Sequence, residues 1–239
     1  MIVTTKAIVL SSIKYGDNNL IVKCYTEKEG AKSYLLRGIL SSKKGKLKTA
    51  YFQPLTQLKL TANHNNKGTL NGIKEVEIIN HYKTIFTNIT KQSIAFFLSE
   101  ILVFSIQEEE ENVDLYEYIE TALIWLDSHQ KTTNFHLLFL LNLTKYLGFY
   151  PETKNIKYEY FDLSEGQFLQ HPPKFHFISG ADLHEFKKIL GINFETVNEI
   201  EFNAKSRQQV LAILIQYFEL HLSGFRKPKS LDVLKTIFS

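Results

Sequence analysis

The chain has 239 residues, a formal net charge of +3, 44% hydrophobic and 22% charged residues, which excludes disordered, collagen-like and coiled-coil classes. A single cysteine, Cys24, excludes an internal disulfide and any cysteine-built zinc site within one chain. Charge is uneven: residues 1–80 hold 13 Lys/Arg against 5 Asp/Glu, and residues 81–239 hold 15 against 20. This is the asymmetry of a basic binding module joined to a part with another task, or of lysine as a default surface residue.

The opening MIVTTKAIVLSSIKYGDNN has no basic stretch followed by an unbroken apolar run, so no secretory signal is expected. Short β-branched or aromatic-rich segments follow at residues 6–13, 20–26, 31–37, 53–61 and 69–79. Turn signals separate them: Gly16-Asp17-Asn18-Asn19, Glu29-Gly30, and the stretch from Asn63 through Lys67 to Gly68. Five strands in about 80 residues suit a small closed barrel better than a sandwich. A longer connection, residues 38–50, interrupts the rhythm between the third and fourth strands.

From about residue 81 the period becomes helical. Apolar stripes run through Ile94, Phe97, Leu98, Ile101 and Leu102, through Leu115, Ile119, Leu123 and Leu126, and through Val210, Ile213, Leu214, Tyr217 and Phe218. Residues 135–147 are apolar nearly all round and are expected at the centre of a bundle, with Gly148 as C-cap. That run is broken by His136, Asn142, Thr144 and Lys145, so it is no membrane span, and a soluble protein is expected. Residues 151–180 carry three of the five prolines and read as an irregular, cysteine-free subdomain. A final helix starts with Ser230 as N-cap.

Chemistry-bearing patterns are few. The connection places Lys43, Lys44, Lys46 and Lys48 within eight residues, with Arg37 just before them. Such ammonium groups either meet successive phosphates or coat a solvated loop, and the barrel context favours phosphates. With Lys14 and Lys67 in neighbouring turns, the candidate nucleic-acid residues are Lys14, Arg37, Lys43, Lys44, Lys46, Lys48 and Lys67. Tyr15, Tyr34 and Tyr51 lie near strand ends, where each either stacks on a base or packs in the core. Gly45-Lys46 is not a P-loop, because Leu40 and Leu47 stand where Gly and Ser/Thr are needed. Cys24 reads as a packing residue, His171 and His176 lack further ligands at zinc spacing, and Glu108 to Glu111 read as a solvated linker. No catalytic constellation appears, so neither an enzyme nor a cofactor is expected.

Several segments in order resemble the RecO family of bacterial recombination mediators. They are Lys6-Ala7-Ile8-Val9-Leu10, Tyr15-Gly16-Asp17-Asn18-Asn19-Leu20, Tyr25-Thr26-Glu27-Lys28-Glu29-Gly30, Arg37-Gly38 and Gln53-Pro54-Leu55. Further along come Leu147-Gly148-Phe149-Tyr150-Pro151, Phe161-Asp162-Leu163-Ser164-Glu165-Gly166, and Tyr217-Phe218-Glu219-Leu220-His221-Leu222 leading to Ser230-Leu231-Asp232. The resemblance implies an α+β protein of two domains: an N-terminal five-stranded OB-fold β-barrel at 1–80 and a mainly α-helical domain at 81–239. It implies a non-enzymatic mediator that binds single- and double-stranded DNA, anneals complementary strands and assists RecA loading. The implied partners are single-stranded-DNA-binding protein, through its acidic C-terminal tail, and RecR, in a cytoplasmic, nucleoid-associated setting. For that tail, Arg207, Arg226 and Lys227 are the candidate contacts, since guanidinium groups hold carboxylates bidentately. The alternative is a general OB-type adaptor, for RNA among others, docking on a protein. One departure stands out. Many family members carry a four-cysteine zinc site after the Leu-Gly-Phe-x-Pro turn, and residues 152–180 have no cysteine. Packing of Tyr158, Tyr160, Phe161, Phe168, Phe175 and Phe177 is expected to replace the metal.

Overall fold

The computed structural model describes residues 1–41, 47–65 and 70–238. It forms two compact units, one of Met1–Ser128 with Pro228–Ser230, the other of His129–Lys227 with Leu231–Ser239.

In the first unit the strands are β1 (Ile2–Tyr15), β2 (Asn19–Thr26), β3 (Gly30–Leu36), β4 (Gln57–Asn63) and β5 (Gly72–Ile78). They form one antiparallel sheet in the order β3-β2-β1-β4-β5. β1 is long because it serves two partners: residues 2–8 pair with β4, and residues 7–15 pair with β2 past a bulge between Val9 and Ser11. A bulge of that kind bends the strand and lets the sheet curl. Gly16 and Gly30, at φ 61° and 63°, supply the left-handed residues that the two tight turns require.

The expectation of a closed barrel needs correction, because the sheet is not closed. Among the described residues, edge strand β3 meets Asn71, just before β5, in one isolated parallel bridge at Tyr34, where Leu35 N–H donates to Asn71 O and Asn71 N–H to Ser33 O, each at 2.9 Å. β5 presents Lys74, Glu75 and Glu77 to solvent, as suits a sheet edge. The result is the partly open five-stranded arrangement of OB folds. The fourth strand also starts later than residue 53. Pro54 cannot donate to a ladder, Leu55 turns at φ 64°, and a 3-10 turn, Thr49–Phe52, precedes them.

The core inside the curl joins Ala7, Val9, Val22, Cys24, Tyr34, Phe52, Leu58 and Leu60. β1 is buried on both faces from Ala7 to Leu10, because helices α1 (Ile89–Ser105) and α2 (Val113–Ser128) belong to the same unit and α1 packs on β1. Asn88 caps α1 by accepting from Lys91 N–H. The Asp127 carboxylate accepts from the amides of Lys83, Thr84 and Ile85, and those bonds hold its pKa below the ordinary value against the opposing cost of burial.

In the second unit α3 (Phe135–Tyr146) is buried at every position from Phe135 to Leu141, as its all-round apolar pattern requires. It ends at Gly148, φ 84°, with Phe149 N–H donating back to Thr144 O at 2.9 Å. The supposedly irregular residues 151–180 are ordered: β6 (Tyr160–Asp162), β7 (Gln167–Leu169) and β8 (Phe177–Ser179) form an antiparallel sheet in the order β7-β6-β8. Three-residue strands are too short to show alternation in sequence. α4 (Gly180–Lys187), α5 (Ala204–His221) and α6 (Leu231–Ile237) complete the unit. Ser230, the expected cap of α6, donates its amide and hydroxyl to Glu100 Oε2, at 2.9 and 2.6 Å.

Candidate nucleic-acid interface

Lys14 faces Leu20 across the β1–β2 ladder, and Leu20 faces Leu36 across β2–β3, so Lys14 and Arg37 share one end of the sheet. Both are exposed, as are Ile13 and Tyr15 on the outgoing end of β1. The long connection leaves from this same end. Gly38 N–H donates to Asn19 Oδ1 at 2.9 Å and Leu40 N–H to Asn18 O at 3.1 Å, which pins residues 38–40 against the β1–β2 turn. The chain returns at Leu47, half-buried against the barrel core, and exposed Lys48. Lys43, Lys44, Lys46 and Lys67 lie outside the described residues. Of the three tyrosines only Tyr15 is free to stack on a base. Tyr34 is fully buried and Tyr51 packs on the core.

Four of the thirteen basic residues in 1–80 have structural duties that sequence did not reveal. Lys6 pairs with Glu120 at 3.3 Å and Glu27 at 3.7 Å. Lys23 donates to Val103 O and Ile106 O at 3.1 and 3.0 Å, satisfying carbonyls at the end of α1, and burial lowers its pKa. Lys28 donates to Thr4 O at 3.0 Å. Lys32, only 5% exposed, lies between Glu29 at 3.8 Å and Glu109 at 2.7 Å. The Glu29 carboxylate also meets His64 Nδ1 at 2.5 Å, and His64 Nε2 meets the Tyr34 hydroxyl at 2.8 Å. This network anchors His64, just after β4, to Tyr34 of β3. The glutamates of 108–111 are exposed as expected, but their backbone is docked, with Ala31 N–H donating to Glu108 O at 3.0 Å.

In the second unit Arg207 is already engaged. Its Nε donates to Asn134 Oδ1 at 3.2 Å, one terminal nitrogen donates to Phe202 O at 3.0 Å, and the guanidinium lies 5.6 Å from the Phe238 ring centre. Arg226 is exposed, and Lys227 pairs with Glu219 at 3.5 Å with its side chain 65% exposed. Cys24 is fully buried and burial pushes its thiol pKa up, which suits packing and not nucleophilic chemistry. Among the described residues no cluster of three His, Cys, Asp or Glu side chains suits a metal ion, and no helix is long and apolar enough to cross a membrane.

With this geometry in hand, two family models cover nearly the whole chain: Recombination protein O N terminal over residues 1–82 and Recombination protein O C terminal over residues 87–232. The chain belongs to the RecO family. It is 49% identical to the DNA repair protein RecO of Flavobacterium psychrophilum and 48% identical to that of Flavobacterium johnsoniae, in each case over all of both chains. The RecO of Bacteroides fragilis is 36% identical, again over all of both chains. A role in DNA repair and recombination follows. Within the N-terminal unit α1 packs on β1, and the hairpin end carrying Lys14 and Arg37 is exposed.

Proposed function

We propose that this RecO-family chain is a recombination mediator that performs no bond chemistry: it binds single- and double-stranded DNA, anneals complementary strands and assists RecA loading onto DNA coated by single-stranded-DNA-binding protein. The observation that carries the reading is the exposed sheet end, where Lys14, Arg37 and Tyr15 flank the connection containing Lys43, Lys44, Lys46 and Lys48. OB folds present such loops to oligonucleotides, with lysines on phosphates and an exposed ring for a base. Lys67 lies in the β4–β5 connection, the second loop that OB folds use for binding. RecR is the proposed protein partner alongside single-stranded-DNA-binding protein. Its tail, acidic and ending in a free carboxylate, is assigned to the basic groups of the second unit, Arg207 or the Arg226 and Lys227 turn.

Annealing of complementary strands in the presence of single-stranded-DNA-binding protein tests the reading. A mediator accelerates it over the protein-free rate. An adaptor that binds RNA or DNA and docks elsewhere leaves the rate unchanged, and cleavage of labelled strands with magnesium would reveal an enzyme.

A further inference from the structure

Four of the six aromatic residues expected to replace zinc lie largely outside the core. Phe161 and Phe168 are buried, and their partners come from elsewhere: Phe161 meets Phe186 at 5.1 Å and Tyr217 at 6.1 Å, while Phe149 stacks on His221 at 4.9 Å. Phe175 is 64% exposed, Phe177 and Tyr158 are each 37% exposed, and Tyr160 is half-buried. In β6 and β8 the register sets Phe161 beside Ile178, both buried, so Tyr160 and Phe177 belong to the opposite face, where their rings meet edge-on at 5.8 Å. Beside them opens a cleft of about 430 Å³ lined by Tyr158, Tyr160, Lys157, His184 and Lys187, with Glu159 its one carboxylate. Lys174 Nζ lies 5.4 Å from the centre of the Phe175 ring.

Exposed rings rimmed by cationic groups mark a binding surface, since leaving them in water forfeits the burial that a core would provide. The combination selects a ligand with flat apolar faces and regular negative charge. A duplex hides its base faces and offers these rings no stacking partner; a single strand offers both. We propose that the open face of the β7-β6-β8 sheet, with Tyr158, Tyr160, Phe175 and Phe177 beside Lys157 and Lys174, is a second single-strand nucleic-acid site. Bases stack on the rings and the lysines meet phosphates. The proposal rests on the annealing reading above, because annealing on one chain calls for two strands held together.

The test uses the full chain and oligothymidylate carrying 5-iodouracil. Titration at low salt is expected to give two strands per chain, and photocrosslinks are expected in residues 1–80 and again in 157–187. The double variant Phe175→Ala, Phe177→Ala removes the most exposed ring, Phe175, and the ring that packs on Tyr160. With its melting temperature unchanged, it should keep the first strand at unchanged affinity, bind the second about tenfold or more weakly, and anneal correspondingly slowly. Lys157→Gln with Lys174→Gln keeps the rings and should weaken the second strand while flattening its salt dependence. One strand per wild-type chain, crosslinked only to residues 1–80, overturns the second site and leaves the proposed function standing. Unchanged annealing by the ring variant overturns it too. Two strands retained but a protein partner lost would assign this face to protein docking and sink the proposal. No strand bound by the wild type would remove the proposed function and this site together.

Discussion

His136, 1% exposed, stacks at 5.0 Å on Phe238, and burial, helped by the nearby Arg207 charge, pushes its pKa down to about 3. A base whose pKa is depressed in the folded state binds its proton first in the unfolded chain. Stability is therefore full above about pH 6.5 and falls by up to about 1.4 kcal/mol per pH unit on acidification towards pH 3. Urea unfolding at a series of pH values should show that acid slope, and His136→Phe should flatten it; equal slopes would mean that the site hydrates and titrates normally. Gly30 is the second such position. A Cβ there would press on the backbone of Glu108 and Glu110, and φ is already 63°. Gly30→Ala is expected to cost about 2 kcal/mol or more, from left-handed strain plus displacement of the docked segment, read as a shift in the denaturant midpoint. Turn glycines announce themselves in sequence, but what crowds Gly30 comes from some 80 residues away and is invisible there. Arg207 makes the same point. Its partners, Asn134 and the Phe202 carbonyl, are neutral, and no charge pattern betrays a neutral partner.

At the scale of elements, the strands and helices with a long apolar period were legible: β1, β2, β3 and α1, α2, α3, α5 fall where period and turn residues put them. The 3-10 turn at Thr49–Phe52, the short strands β6 to β8 and α4 were not, since three to eight residues complete too few periods to stand out. The candidate site was half legible. Lysine density marked the connection, whereas the fates of Lys23 and Lys32 depend on helix ends and glutamates distant in sequence. For the connection itself, replacing Lys43, Lys44, Lys46 and Lys48 with Ala should flatten the log–log salt dependence of single-strand binding by about 3 units, at roughly 0.7 per phosphate contact. An unchanged slope would make the loop a solvated connection. For the subdomain around β6, the rings of Phe149, Phe161, Phe186 and Tyr217 pack on one another. Elemental analysis should find well under one zinc per chain, and EDTA should leave the Tm unchanged. Stoichiometric zinc would show that ligands come from residues outside this cluster.

Across the whole molecule, the +8 balance of residues 1–80 overstates the positive charge left unengaged there. Lys6, Lys23, Lys28 and Lys32 are tied to carboxylates or backbone carbonyls; among the other described basic residues Lys14, Arg37 and Lys48 are exposed toward the hairpin end, and Lys59 and Lys74 are exposed on β4 and β5. Residues 81–239 are net acidic, and a carboxylate-ended peptide has few places to bind there. Titrating a labelled acidic tail peptide should find binding weakened by Arg226→Ala with Lys227→Ala, about 1–3 kcal/mol for a charged hydrogen bond lost. Arg207→Ala should lower thermal stability through Asn134 and Phe202. A peptide affinity that responds to Arg207 alone, at temperatures where the variant stays folded, would move the tail to that end of α5.

Glu108 to Glu111, between two helices and open to solvent, look like the natural place to break the chain for a tag, an insertion or a circular permutation. The backbone there is already in use: Glu108 O holds the amide that opens β3, and Glu109 neutralises a lysine sealed beneath it. Cutting or lengthening the segment would therefore unfasten a backbone bond of the sheet edge and leave the ammonium of Lys32 only its longer contact with Glu29. A stretch that is a linker by composition behaves as a clasp by geometry, and a chain opened there should lose β3 before it loses either helix.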